Sequence, residues 1–429
     1  MALTDKIQQE FNALEKDLTA LNSDALHRLR LQAIGAFNNL GIPGNRHEEW
    51  KYTNIKTKLP ESITLLPSAG SSAPAYHSFD KIATTKLVFV NGNFSKELSD
   101  IKPETGIIIN SLKEAYSTHK DLVDKHYGKL VQYSEEHFAA LNTAFATDGA
   151  FILVKRNTVI EQPVFIIHLF NNADTFTQSR NLIIAEEGSG LTFVEDFQSS
   201  GSAAFFNHVS EIFVEANASV TITKLQTETV NATGVYTLEA QIGRDARFTC
   251  NTFTFEGKLI RNNLNARLSG QNAEAHLNGL YYGTGDSLID NHLLVDHIVP
   301  NCQSNQLYKG ILDDEATGVF NGKIFVKQDA QKTNAFQSSK GILLSPTASI
   351  NSKPQLEIFA DDVKCSHGAA IGQLNENAVF YLRARGIPEE EAKAMLTFAF
   401  ANEIIETLQS EDIKAYLTEI LRKRLNISL

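Results

Sequence analysis

Cys365 and His367 are the residues best suited to chemistry in this sequence, because they place a thiol and an imidazole two positions apart. Upstream of them, Leu356, Ile358 and Val363 alternate with polar residues at the spacing of a half-buried strand. If that strand continues, Cys365 and His367 lie on the same face. A thiolate beside an imidazole can act as a nucleophile or bind a soft metal such as iron or zinc. The pair therefore predicts a catalytic or metal site near the protein surface.

A purely structural role fits the same two residues. A zinc site needs four ligands, and a cysteine nucleophile needs a third residue that orients its histidine. A Cys-x-His pair supplies only part of either set. Spacing alone therefore also allows a half-buried thiol and a hydrogen-bonded histidine with no ligand.

A second group of possible metal ligands consists of His292, His297 and Cys302, which follow one another at intervals of five and lie near Asp290 and Asp296. An odd interval sends successive side chains to opposite faces of a strand, so the three cannot converge without a bend. We interpret these residues as mainly structural, with His297 and Cys302 as minor candidates for a metal pathway.

Two pairs of adjacent carboxylates, Asp313-Asp314 and Asp361-Asp362, raise the alternative of a β-helix carbohydrate-active enzyme, either a polysaccharide lyase or a glycosidase. Such pairs are also common in solvated turns. The sequence has no G-x-x-x-x-G-K-[ST] phosphate-binding loop, which predicts that the chain does not hydrolyse ATP.

Composition narrows the class of protein. The 429 residues carry a net charge of -11, which argues against binding to nucleic acid or to an anionic membrane surface. Three cysteines spread along the chain predict free thiols in a reducing cytoplasm. No run of 18 apolar residues occurs, so we expect a soluble cytoplasmic protein.

The middle of the chain, from about 150 to 358, contains a repeat of short strands. Its turns place a small residue after a polar one or a glycine at 190, 218, 246 and 273, in steps of 28, 28 and 27 residues. A step of this length with no helix signal predicts a β-solenoid whose turns stack on one another. An antiparallel sandwich is the alternative, but the Asn-Gly and Asp-Gly hairpin turns that it would favour are scarce.

Both ends of the chain are predicted to be helical. Apolar residues at helical spacing follow residue 3, and a second helix begins after a Ser23 cap and ends at Gly41. Helices are predicted at 3–22, 23–41, 375–385, 388–408 and from 410 onward, strands at 86–90 and 106–109, and a loop at 68–75. We expect four regions: an N-terminal helical region at 1–67, a mixed α/β region at 76–149, a β-helix core at 150–365 and a C-terminal helical domain at 366–429.

Several segments of the chain resemble one known family. The segment 354–374, the following Phe380-Tyr381-Leu382-Arg383-Ala384-Arg385-Gly386-Ile387 and the Trp50 motif Arg46-His47-Glu48-Glu49-Trp50-Lys51-Tyr52-Thr53 resemble the SufB/SufD family of iron-sulfur cluster assembly proteins. The resemblance implies a mainly β protein, a right-handed parallel β-helix with helical regions at both ends. It also implies a scaffold subunit of a SUF-type assembly complex and no enzymatic activity of its own.

Within that family the chain resembles the SufD branch. SufB-like chains carry a cysteine in a Q-C-D-S stretch and a glutamate-histidine pair, where this chain has Gln337-Ser338-Ser339 and Ser366-His367. The resemblance implies pairing with SufB through the β-helices and binding of the ATPase SufC by the C-terminal helices. A nascent Fe-S cluster would form transiently at the SufB interface, with His367 as a ligand or gate and Cys365 as its companion. The isolated chain, which could form a homodimer, would hold no tightly bound cofactor.

Overall fold

The computed structural model describes residues 3–18, 24–59, 65, 75–171, 176–199, 205–227 and 231–427. The predicted helix cap at Ser23 and nearly all of the predicted loop 68–75 lie outside the described residues.

Two long sheets form the centre of the described chain. Their strands are β1 (Thr85–Val90), β2 (Asn93–Phe94), β3 (Ile107–Ser111), β4 (Ala150–Val154), β5 (Val164–Phe170), β6 (Phe176–Ala185), β7 (Gly190–Ser199), β8 (Phe205–Val214), β9 (Ser219–Gln226), β10 (Thr233–Ile242), β11 (Arg247–Thr254), β12 (Leu259–Leu268), β13 (Glu274–Gly283), β14 (Leu288–His297), β15 (Gln303–Leu312), β16 (Thr317–Val326), β17 (Asn334–Leu343), β18 (Ser349–Ile358) and β19 (Lys364–Gly372).

From β4 onward, successive strands alternate between the two sheets. The ten-stranded sheet runs in the order β19-β17-β15-β13-β11-β9-β7-β5-β1-β2, and the nine-stranded sheet runs β18-β16-β14-β12-β10-β8-β6-β4-β3. Strands of successive turns pair in parallel, as where Ser219 pairs with Arg247 and Arg247 pairs with Glu274. The predicted solenoid is confirmed, and the antiparallel sandwich is wrong.

The 27- and 28-residue steps correspond to one corner of this solenoid. Asn217, Asp245 and Asn272 occupy equivalent corners with φ of 57°, 57° and 60°. Asn and Asp tolerate this left-handed conformation better than other non-glycine residues. A fully buried alanine follows each of them, namely Ala218, Ala246 and Ala273. The repeat is therefore a corner residue that can turn the chain, followed by a methyl group small enough to fit inside.

The described α-helices lie outside the two sheets, and all of them except α6 bury side chains against neighbouring elements. They are α1 (Leu3–Leu18), α2 (Asp24–Leu40), α3 (Leu112–Thr118), α4 (Lys120–His126), α5 (His137–Phe145), α6 (Glu376–Arg383), α7 (Glu389–Ile405) and α8 (Glu411–Arg424). Apolar residues of α1, α2 and α5 form one core with the outer face of the nine-stranded sheet, whereas those of α7 and α8 form another with the ten-stranded sheet. The interior between the two sheets holds a third and larger apolar core.

Trp50 fastens the N-terminal region to the solenoid. Its ring lies 5.3 Å from the ring of Phe138 and 4.2 Å from the guanidinium of Arg261 on β12. Arg261 in turn donates a 2.7 Å hydrogen bond to buried Asp290 on β14. The charged Trp50 motif therefore connects the N-terminal segment to strands β12 and β14, which belong to two turns of the solenoid.

The C-terminal helices begin where the sequence predicts. Asn375 accepts hydrogen bonds from the backbone amides of Asn377 and Ala378, and the Ser410 side chain accepts one from Ile413. These contacts satisfy amides that have no partner within the helix. The helices differ in burial, because α7 and α8 pack against the sheet whereas α6 has no buried residue.

Candidate functional site

The solenoid ends at β18 and β19, and we call this pair of strands the open end. Each is the terminal strand of its sheet. Every residue of β19 except Cys365 is exposed, and β18 is only partly buried along most of its length. Edge strands present unpaired backbone N–H and C=O groups that can template the addition of another strand. The open end is therefore a long strand edge without cover from the described chain.

Both sequence-predicted site residues lie on β19 at this open end. Cys365 pairs in register with Ala335, and His367 pairs with Gln337. Ala335 and Gln337 are buried and belong to the inward face of β17, so Cys365 and His367 continue that inward face. The prediction that they share one face agrees with this register. Inward-facing side chains of successive strands form columns along the sheet, and Cys365 and His367 are the last residues of two such columns. Both therefore lie at the mouth of the solenoid interior.

Cys365 is partly buried and borders a small apolar cluster. Its side chain packs beside a small core that includes Ala335 and Ala360. Burial raises the pKa of the Cys365 thiol above its usual range, against a smaller opposing effect of the Ala335 backbone. The isolated chain therefore favours the neutral thiol, and a bound cation or a partner's charge is needed to favour the thiolate, which is the form that binds metal.

Gln337 connects the site to the solenoid interior. Its Nε2 donates a 2.6 Å hydrogen bond to Oε1 of Gln306 one turn below. Across the interior, Ser352 Oγ on β18 lies 3.4 Å from Ser339 Oγ on β17. Polar side chains therefore line the interior directly below the open end.

The second predicted group does not converge. His292 lies on the outer face, where its Nε2 is 3.0 Å from Asp290 Oδ1. His297 points inward and forms a 2.9 Å hydrogen bond with Ser304, while the Cys302 thiol donates to the Gly270 carbonyl. Burial lowers the pKa of His297 to about 4. The interval of five places His292 and His297 on opposite faces of β14, whereas Cys302 follows in the turn between β14 and β15 and is buried, as is His297.

The acidic pairs are corner residues. Asp314 has φ of 53°, and its carboxylate accepts a hydrogen bond from the Gly285 amide of the preceding turn. Asp362 accepts one from the Lys332 side chain in the same way. Asp314 and Asp362 therefore stabilise turns of the solenoid. The two acidic pairs give no support to the alternative of a carbohydrate-active enzyme.

One cluster of potential ligands escaped the sequence analysis. His168 on β5, Glu195 on β7 and His208 on β8 meet in the solenoid interior, where all three are fully buried. They are 27 and 13 residues apart in the chain and belong to both sheets. No short motif connects them, so only the assignment of every strand to its sheet and register could have revealed them.

The C-terminal helices carry exposed aromatic residues outside the core. Phe380 and Tyr381 on α6 are 71% and 58% exposed, and Met395 on α7 is 41% exposed. Large apolar side chains grouped on a surface often mark a protein interface. None of the described helices is both long enough and apolar enough to cross a lipid bilayer.

Comparison with known proteins agrees with these features. Residues 168–400 match the family model described as SUF system FeS cluster assembly, SufBD core domain, and residues 1–166 match that of the SufBD protein N-terminal region. The chain is 30% identical to an iron-sulfur cluster assembly SufBD family protein of Synechocystis sp., over 99% of this chain and 98% of that protein. It is 31% identical to the iron-sulfur cluster assembly protein SufD of Escherichia coli over 90% of each chain, and 28% identical to SufD of Bacillus subtilis over 93% of this chain and 94% of that protein. The chain therefore belongs to the SufBD family of the SUF system for iron-sulfur cluster assembly.

Proposed function

We propose that this chain is a scaffold subunit that pairs with SufB through the open end of its solenoid and helps to form a nascent iron-sulfur cluster at that interface. The observation that carries the proposal is the position of Cys365 and His367, which face inward on the terminal strand of the ten-stranded sheet. A thiol and an imidazole at an uncovered strand edge can be joined by ligands from a second chain.

The strand edges support pairing. β18 and β19 offer ten and nine residues of edge, which is long for an exposed edge in a soluble protein. A second solenoid of the same cross-section can extend both sheets by adding one strand to each. Either SufB or a second copy of this chain fits this geometry, and SufB is the partner that we propose for the assembled complex.

The two donors form only half of a metal site. Iron in thiolate sites is usually bound by four ligands, and this edge supplies one sulfur and one imidazole. The remaining ligands would come from SufB. The cluster is cargo that forms and leaves, so the chain needs no catalytic residue of its own. In this proposal SufC supplies ATP hydrolysis, which is consistent with the lack of a G-x-x-x-x-G-K-[ST] loop in this sequence, and the chain acts in the cytoplasm, which is consistent with its three free cysteines.

The experiment is replacement of His367 by Ala in the chain co-expressed with SufB and SufC. Because His367 is exposed, we expect unchanged thermal stability and unchanged co-purification, but a large loss of cluster assembly measured as bound iron and sulfide. His276→Ala is the matched control, since His276 is a partly exposed histidine on the outer face of β13 in the same sheet. Normal cluster assembly by the His367 variant, or a loss as large in the His276 variant, would contradict the proposed role.

We further propose that SufC binds the exposed aromatic residues of α6. Deletion of the whole C-terminal region is a poor test, because α7 and α8 cover apolar residues of the ten-stranded sheet. The double variant Phe380→Ala/Tyr381→Ala removes exposed side chains only, so we expect a folded protein that has lost at least about tenfold in SufC affinity. Calorimetric titration with purified SufC measures this, with Tyr52→Ala, an exposed tyrosine of the N-terminal region, as the control. Unchanged affinity would place the SufC contact elsewhere.

A further inference from the structure

The solenoid interior contains a compact group of three metal-ligating side chains, His168, Glu195 and His208, which we call the interior cluster. One ligand atom from each lies within 4.8 Å of the other two, and all three side chains are 0% exposed. Glu195 Oε1 is 2.9 Å from His208 Nε2 and 3.9 Å from His168 Nε2. Atoms bound to one ion at about 2.1 Å lie about 3 to 4 Å apart, so small shifts bring these three into range.

His168 is the residue that ordinary packing leaves unexplained. Neither of its ring nitrogens has a hydrogen-bond partner among the described residues. The ring stacks on Phe197 at 4.8 Å and on Phe89 at 5.3 Å, which fixes its plane and directs an edge toward Glu195. A buried polar group without a partner costs about 1 to 3 kcal/mol, and such a group in a native protein calls for a bound water or ion.

The other two side chains are oriented as metal ligands usually are. His208 Nδ1 is hydrogen-bonded to Ser179 Oγ at 2.7 Å, which leaves Nε2 to face the cluster. Glu195 Oε1 accepts a 2.6 Å hydrogen bond from Asn181 Nδ2. Hydrogen bonds of this kind hold ligand side chains in place around protein-bound metals.

We propose that His168, Glu195 and His208 bind one divalent transition-metal ion, Zn²⁺ or Fe²⁺, inside the solenoid. Two imidazoles and one carboxylate form a ligand set that both ions accept, and a water molecule or Ser210 Oγ, 2.9 Å from His208 Nε2, can complete it. This ion is distinct from the cargo at the open end, because β7 and β19 are six strand spacings apart, about 29 Å. Its role is to hold the early turns of the two sheets together.

Lys224 provides the competing explanation. Its Nζ lies 3.5 Å from Glu195 Oε2, and both side chains are almost completely buried. Ion pairs with Lys224 and His208 account for Glu195, but they leave both ring nitrogens of His168 without a hydrogen-bond partner among the described residues. In the proposed site the metal ion binds Glu195 Oε1, and Lys224 Nζ contacts Oε2 of the same carboxylate. The two positive charges repel each other, so the variant Lys224→Met tests whether a cation is bound. If the interior cluster binds a cation, the Lys224→Met variant should still retain about one ion per chain, and loss of the metal in a folded variant would contradict the assignment.

The experiment measures metal in the purified full-length chain by mass spectrometry after native dialysis against a chelator. Because the cluster is enclosed, we expect about one ion per chain to resist the chelator and to be released on unfolding. His168→Ala and His208→Ala should each lower the retained metal by at least about tenfold. His297→Ala is the matched control, since His297 is equally buried in the interior but lies outside the cluster; it should keep the metal.

A second measurement keeps the inference testable if the histidine variants do not fold. Wild-type chain is unfolded with chelator and refolded with Co²⁺, which in a site of two nitrogens and oxygen gives visible absorption bands. The bands should appear at one equivalent and be displaced by Zn²⁺. Absence of metal in the native wild-type chain together with absence of the Co²⁺ bands would overturn the assignment, and so would retained metal in a folded His168→Ala variant. Neither result depends on SufB, SufC or cluster assembly.

Discussion

Replacement of Asp196 by Asn should make the protein more stable at alkaline pH and not at acid pH. Asp196 lies on the outer face of β7 beneath α8 and is fully buried. Its Oδ2 accepts a 2.5 Å hydrogen bond from Gln198, whereas Oδ1 has no hydrogen-bond partner among the described residues. Burial raises the pKa of this carboxyl from 3.8 to about 7. The folded state therefore favours the neutral acid.

The sign of the pH dependence follows from proton linkage. Below about pH 4 both the folded and the unfolded state hold the proton, so burial of Asp196 carries no charge penalty. Between about pH 4 and pH 7 only the unfolded state has released it, and the free energy of unfolding falls by about 1.4 kcal/mol per pH unit. Above the folded pKa the penalty is complete, at about 4 kcal/mol.

The Asp196→Asn variant avoids this penalty but buries an amide that needs partners of its own, which costs about 1 to 3 kcal/mol. We therefore expect a net gain of about 1 to 3 kcal/mol near pH 8 and no gain, or a loss of up to about 2 kcal/mol, near pH 4.5. Urea denaturation across this range measures the difference. Asp329→Asn, at an exposed corner, is the control. A stability difference between Asp196→Asn and wild type that stays constant with pH would refute the reasoning.

Two further predictions concern the solenoid itself. Glu211→Ala should lower the free energy of unfolding by about 3 to 5 kcal/mol, because it leaves fully buried Arg180 without its carboxylate 2.7 Å away; the exposed pair of Glu187 with Arg156 should contribute less than about 1 kcal/mol in the same urea assay. Asn217→Ala should cost about 1 to 2 kcal/mol through its left-handed backbone, whereas Asn217→Gly should be nearly neutral, and equal losses in the two variants would contradict the role of the corner conformation.

Much of the fold follows from local patterns. The step of 27 to 28 residues is readable because each corner needs a residue that tolerates positive φ and then a residue small enough to be buried, as at Asp245 and Ala246. Helix boundaries such as the Asn375 and Ser410 caps are readable because their hydrogen bonds reach only two or three residues along the chain. Cys365 and His367 share a face because strand geometry alternates with a period of two.

Other features depend on contacts that no local pattern encodes. Whether Cys365 and His367 face inward or outward is decided by their pairing with Ala335 and Gln337, thirty residues earlier. Burial of α7 and α8 but not α6 depends on where the outer face of the ten-stranded sheet ends. These are properties of the assembled sheets, because register and layer order fix them.

The interior cluster is the clearest example of a feature that could not be predicted from the sequence. His168, Glu195 and His208 look like unremarkable polar residues within three apolar strands. Glu195 lies in the ten-stranded sheet and His208 in the nine-stranded sheet, and their side chains meet only because both strands turn these positions inward at the same level of the solenoid. The repeat, the capped helices and the shared face of Cys365 and His367 can be predicted from the sequence, since each depends on neighbours along the chain. Which polar side chains meet in the interior, and which strand edge remains open, can be seen only in the folded protein, since both depend on the stacking of whole turns.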